Sequence, residues 1–278
     1  MMTRLFRTPA PLLVSVGMLF ALLSAPAGAG LASPWAEGHN SRARLIAGDG
    51  VAGVQLQMPE GWKTYWRNPG DAGGVPPSFD WSKSENLASA QVLYPAPRRF
   101  TDRSGDTVGY KGTVVFPVRI KAKDPKKPID LRLTLDYGVC KEICIPGQAA
   151  LSLAIAPGQG AGVPSEITEA LARVPMPEGA RGPDDPVLKG VRAELDGSKP
   201  RLVLEADFPG GAEHADVFIE APPGLYVPLP KKVADDGTGH ATFEVSLDAA
   251  AAKDLKDQPL TATLVSEKGQ SEASFSID

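Results

Sequence analysis

The sequence predicts an all-β protein of two β-sandwich domains joined by a Pro/Gly-rich connection with a short helix. Three observations carry that expectation. Short segments along most of the chain alternate apolar and polar residues with period two, the pattern of a half-buried strand. The 29 glycines and 27 prolines among 278 residues are many for a helical protein and suit turns between short strands. Between Pro157 and Pro186 the texture shifts to Pro and Gly, with strand-rich sequence on either side. The expected organisation is residues 33–156 as one domain, 157–186 as the connection and 187–278 as the second domain.

The first 32 residues are set apart as a processing segment. Arg4 and Arg7 form a positive start, Pro11 to Leu23 is an apolar run, and Ala27-Gly28-Ala29 offers small residues for cleavage. The run is too short for a stable membrane span. No second apolar run of spanning length follows, so an exported chain without direct membrane insertion is expected. Without Arg4 and Arg7 the 29 basic residues fall to 27 against 33 acidic ones, a charge of −6. A mildly acidic chain has no electrostatic reason to seek nucleic acid or anionic membranes.

Within the first domain, Val54, Leu56 and Met58 alternate with polar neighbours before a turn at Pro59-Glu60-Gly61. Trp62-Lys63-Thr64-Tyr65-Trp66 reads as a strand, and its aromatics fit a core better than a ligand site. Arg67 to Pro77 is an irregular loop by its Pro and Gly content. Phe79 and Trp81, then Gln91 to Tyr94, are short strands. Phe100 to Gly112 is polar and glycine-bearing, the composition of an exposed loop. Val114, Phe116, Val118 and Ile120 alternate cleanly.

The densest signal is the stretch from Leu131 to Leu153. Leu131, Leu133, Leu135, Tyr137 and Val139 alternate with polar or small residues, and after the turn Leu151, Leu153 and Ile155 alternate with Ser152 and Ala154. If Cys140 and Cys144, the only two cysteines, face each other, the same register pairs Leu133 with Leu151 and Leu131 with Leu153. Directly opposed residues sit roughly 4.5–5.5 Å apart at Cα, within disulfide reach. Both cysteines have the parity of the polar face and are expected away from the core.

In an oxidising compartment two cysteines are ordinarily a structural staple. Two points weigh against that. So short a loop restricts the unfolded chain by only roughly 2 kcal/mol, against about 4.7 kcal/mol for 100 residues. The turn Lys141-Glu142-Ile143 has no glycine, so a strained and reducible bridge is expected. Lys141 favours a thiolate at Cys140 and Glu142 opposes it.

In the connection, Ser165 to Val174 predicts an amphipathic helix, with Ser165 as its cap and Glu166 at its positive end. Beyond it, Val191–Leu195, Leu202–Phe208, Val217–Ile219, Phe243–Leu247, Leu260–Leu264 and Ala273–Ile277 predict six strands, and Leu247 to Leu255 a short helical insert. His39, His214 and His240 are scattered without metal-ligand spacing, and no hydrolase, zinc-protease or phosphate-cradling motif occurs. The cysteine pair is the one constellation with chemistry.

Gly61-Trp62-Lys63-Thr64-Tyr65-Trp66-Arg67-Asn68-Pro69-Gly70-Asp71-Ala72-Gly73, Gly109-Tyr110-Lys111-Gly112 and Leu135 to Pro146 together resemble the N-terminal periplasmic domain of the DsbD/ScsB thiol:disulfide interchange proteins, the ScsB type above all. The later β region is similar to the second immunoglobulin-like unit of that type. The resemblance implies two immunoglobulin-like β-sandwiches and a catalytic pair, Cys140 and Cys144. It implies electrons moving from a membrane-embedded partner to thioredoxin-like periplasmic proteins, with no cofactor and no metal. By motif position Cys144 forms the mixed disulfide and Cys140 resolves it. Phe100 to Tyr110 matches the family's capping loop, with Phe100 or Tyr110 as covering aromatics, while Tyr137, Lys141 and Glu142 flank and modulate the pair. DsbD itself has wider cysteine spacing, and family members continue into membrane and thioredoxin-like domains. Here a separate electron donor is expected. Two alternatives remain at this point: a periplasmic copper protein using both thiolates, and a non-redox interaction module with a structural disulfide.

Overall fold

Alternating residues bury one face of many of the strands, and mostly antiparallel neighbours supply the backbone partners, so the chain closes into two pairs of stacked sheets. The computed structural model describes residues 31–103, 105–159, 162–195 and 198–277. The expected processing segment lies outside the described residues except for Leu31 and Ala32, which pair with Ala47 and Ile46 as a first strand.

The first domain holds β1 (Leu31–Ala32), β2 (Ala36–Gly38), β3 (Ser41–Gly48), β4 (Val51–Gln57), β5 (Lys63–Tyr65) and β6 (Ser78–Asp80). It continues with β7 (Leu87–Val92), β8 (Arg98–Asp102), β9 (Gly105–Lys111), β10 (Thr113–Ala122), β11 (Ile129–Cys140) and β12 (Cys144–Ile155). One sheet runs β1-β3-β4-β10-β7, with β2 on β3; the other runs β12-β11-β5-β9-β8, with β6 on β11. Leu45, Val54, Leu56, Phe116, Leu131, Leu133 and Leu135 are fully buried in a shared core. The long hairpin pairs Leu131 with Leu153, Leu133 with Leu151 and Cys140 with Cys144, the register expected from its apolar parity.

The polar stretch from Phe100 to Gly112 differs from the exposed loop expected of it. It forms the β8–β9 hairpin, because β9 finds a strand partner in β5 through Lys63–Lys111, Thr64–Tyr110 and Tyr65–Gly109. Composition alone does not reveal a partner so distant in sequence.

In the connection, α1 (Ser165–Leu171) starts from Pro164 and makes no side-chain cap, so Ser165 is its first residue rather than its cap. Ile167 and Ala170 bury against Ile46, Val51 and Val115 on the outer face of the first sheet. The second domain comprises β13 (Met176–Pro177), β14 (Val187–Glu194), β15 (Arg201–Asp207), β16 (Asp216–Glu220), β17 (Lys231–Asp235), β18 (His240–Ser246), β19 (Leu260–Val265) and β20 (Gln270–Phe275). Its sheets run β13-β20-β19-β16 and β14-β15-β18-β17. The short helix α2 (Ala249–Leu255) is capped by Asp248, whose carboxylate accepts from the Ala251 amide at 2.7 Å. Edge strand β17 is exposed at every residue and carries no alternation, which is why the sequence pattern passes over it.

The domains share apolar contact. Trp66 and Phe218 meet as tilted rings 5.7 Å between centres, and Phe218 and Leu229 join the core cluster of the first domain.

Candidate functional site

The site begins with strand pairing. Register sets Cys140 opposite Cys144 at a Cα separation of 4.1 Å, and the two are joined as a disulfide. On its other edge β11 takes β5, with Val139 opposite Thr64 and Cys140 opposite Lys63. Side chains alternate along a strand, so Lys63 and Tyr65 stand on the same face as Cys140.

Both are covered side chains. Lys63 is 5% exposed, and its ammonium donates to Asp102 at 2.8 Å and to Thr107 at 2.7 Å. The charge is compensated where it is buried, as a covered ammonium requires. Tyr65 is 1% exposed, and its hydroxyl lies 2.9 Å from Cys144 Sγ. Burial first, and the charge of Asp102 second, push the Tyr65 hydroxyl above its ordinary pKa, so it keeps its proton through neutral pH. It is therefore a donor toward sulfur.

These groups wall a cavity of about 490 Å³ that opens on the disulfide. β5 contributes Lys63 and Tyr65, the following loop Ala72 and Gly73, the β8–β9 hairpin Asp102, Arg103 and Thr107, and the cysteine turn Lys141 and Glu142. Both cysteines do have the parity of the polar face, yet their exposure differs. Cys140 is 6% exposed, whereas Cys144 is open to solvent. Cover from β5, the loop and the hairpin, rather than the core, buries Cys140.

The turn departs from the strained one expected. None of residues 141–143 adopts a positive φ, so the lack of glycine imposes no left-handed backbone there. At its tip Ile143 is 73% exposed, between the two cysteines.

Of the expected flanking residues, Lys141 and Glu142 line the cavity. Tyr137 points the other way, into the core, where its hydroxyl meets Ser41 Oγ at 2.9 Å. Tyr110 also faces the core, donating to the Pro95 carbonyl and packing edge-on to Phe116. Phe100 carries the Lys111 ammonium over its ring and lines a separate depression beside α1. Neither Phe100 nor Tyr110 lines the cysteine cavity; the aromatic that meets the sulfur is Tyr65. Within the motif from Gly61 to Gly73 it is set apart by shared parity with Lys63, two residues away, and that becomes meaningful only once β5 is known to pair with β11. Among the described residues no group of three or more His, Cys, Asp or Glu side chains gathers as a metal site.

Residues 37–156 match the family described as thiol:disulfide interchange protein DsbD, N-terminal. Residues 173–278 match a domain of unknown function, DUF8393. Among solved structures the chain is similar to the N-terminal periplasmic domain of ScsB from Proteus mirabilis, with 22% identity and a TM-score of 0.69. The alignment covers 89% of this chain and 98% of that one. At such identity the similarity concerns the fold, two immunoglobulin-like domains. No curated protein matches the chain.

Proposed function

Residues 37–156 are a DsbD/ScsB-type N-terminal domain, and from that premise we propose that the chain is a periplasmic thiol–disulfide exchange protein. It passes electrons between a membrane-embedded donor and thioredoxin-like partners through Cys140 and Cys144. The observation that carries this reading is the asymmetry of the pair: Cys144 is exposed beside a hydroxyl donor, while Cys140 is covered. A staple needs no such difference.

In the reducing direction, a Cys144 thiolate attacks one sulfur of a partner disulfide. The partner's S–S bond breaks, its other sulfur leaves as a thiolate, and a mixed disulfide forms. Cys140, as thiolate, then attacks Cys144 Sγ, closing the Cys140–Cys144 bond and releasing the partner as a dithiol. Two electrons pass to the partner, and a dithiol donor restores the chain by the reverse sequence. Tyr65 donates to the Cys144 thiolate and lowers the cost of forming it.

Redox titration of the purified protein in glutathione buffers tests the proposal. The expected potential lies above about −270 mV, in the range of exchange-active pairs, with the sandwich still folded when reduced. A value below about −300 mV returns the pair to a structural role. Cys140→Ser should accumulate mixed disulfides through Cys144, and Cys144→Ser should not.

A further inference from the structure

The second domain has no part in the chemistry above, yet several of its bonds to the first domain fall on the segment that reaches the cysteines. Tyr65 touches Cys144, and Ala72 and Gly73 line the cavity. Between them Trp66 packs on Phe218, and the Arg67 guanidinium pairs with both Glu220 and Glu272, the first by bonds of 2.6–2.9 Å. Asn68 donates to the Ile219 carbonyl at 3.1 Å. One carboxylate oxygen of Asp71 accepts from the Tyr226 hydroxyl at 2.6 Å and from the Leu229 amide at 2.9 Å.

A second tie reaches the opposite wall. Arg99 on β8 bridges Asp106 of β9 and Asp216 of the second domain, at 3.3 Å and 2.7–2.9 Å. The Asp106 carbonyl in turn accepts from the Ala72 amide at 3.0 Å, so the two walls are also bonded to each other.

We propose that the second domain is a clamp that sets the position of the cavity wall over the cysteine pair, with Arg67 and Asp71 as its positioning residues. They act through the backbone of residues 66–73 and touch neither sulfur. Bidentate arginine–carboxylate pairs and a doubly bonded carboxylate fix geometry as well as adding energy. Held in this way, the wall limits access to Cys140 and keeps the Tyr65 hydroxyl on Cys144. The consequence for reactivity rests on the exchange reading; the clamp on the wall does not.

The test uses the full mature chain with changes confined to the second domain. Glu220→Ala, Glu272→Ala and Tyr226→Phe are combined, none of which lines the cavity. After reduction with a phosphine, the rate of alkylation by iodoacetamide is followed across pH, with amide exchange over residues 66–73. The expected result is loss of protection in that segment and alkylation about tenfold faster, the scale of one or two lost hydrogen bonds. Asp71→Asn, which retains the accepting oxygen, should match the wild type, and Asp71→Ala should match the triple variant. Unchanged exchange and alkylation in the triple variant would overturn the clamp, as would equal behaviour of Asp71→Asn and Asp71→Ala. If the triple variant does not fold, Tyr226→Phe alone decides by the same readouts, since it removes one hydroxyl from a half-exposed ring. A wild-type bridge that glutathione never reduces sinks the exchange reading, while amide exchange over residues 66–73 still decides for or against the clamp.

Discussion

Tyr65 sits at the point where packing and chemistry meet, because its ring is buried and its hydroxyl is on Cys144. A hydrogen bond to a charged acceptor is worth about 1.5–3 kcal/mol, or about one to two pKa units. Tyr65→Phe should therefore raise the pH at which reduced Cys144 becomes half reactive by about one unit. An alkylation profile that does not move would remove Tyr65 from the chemistry. Lys63→Met, which takes a covered ammonium from the strand position opposite Cys140, should move the reactive midpoint upward as well, by about one unit. The tyrosines also set an alkaline limit. Burial raises Tyr65, Tyr94 and Tyr110 above their unfolded values, so the folded state holds those protons more tightly. Their contribution is complete below the unfolded pKa of about 10 and is lost as pH rises through the folded values. The urea midpoint should hold to about pH 9 and fall by about pH 11; a flat midpoint across that range would contradict it.

At the scale of elements, the β11–β12 hairpin and the loop after β5 do different work. The hairpin carries the cysteines on a frame of paired leucines, while the loop brings the wall. Gly70 lies in that loop at φ +88°, and a Cβ there would meet the Asp106 carbonyl at 2.9 Å and Leu229 Cδ1 at 3.1 Å. Gly70→Ala should cost about 1–3 kcal/mol in urea unfolding and loosen the wall, since strain and close contact coincide. An unchanged midpoint would mean that the loop yields freely. The hairpin is legible in the sequence because its apolar parity, its turn and its two cysteines agree within one short stretch. The wall is not, because β5 meets β11 and β9 only through pairings distant in sequence. For the same reason Phe100 and Tyr110 stand in for Tyr65: motif position identifies a loop but not the direction its side chains take. In the second domain, strands with one buried face are legible and exposed β17 is not.

For the whole molecule, the question is where one folding unit ends. The Pro/Gly texture from Pro157 onward suggests a boundary there, but α1 lies beyond it and covers Val115 and Ile46 with a fully buried Ile167. Burying an isoleucine side chain is worth about 1.5–3 kcal/mol. A fragment of residues 31–174 should therefore be more stable than one of residues 31–156, by the burial of Ile167, Ala170 and the sheet face they cover together with the backbone bonds of α1, net of the entropy of ordering the helix. Both fragments should remain below the full chain, because Trp66 loses Phe218, and Arg67 and Arg99 lose their carboxylates in the second domain. Freed of Glu220 and Glu272, Arg67 has every reason to turn to water and take the loop with it. Urea unfolding followed by tryptophan fluorescence separates the three chains, since all four tryptophans, Trp66 at the interface among them, lie in the first domain. Coincident midpoints for the two fragments would place α1 outside the first domain's energetics. Coincidence of the longer fragment with the full chain would mean that the interdomain contact contributes no stability.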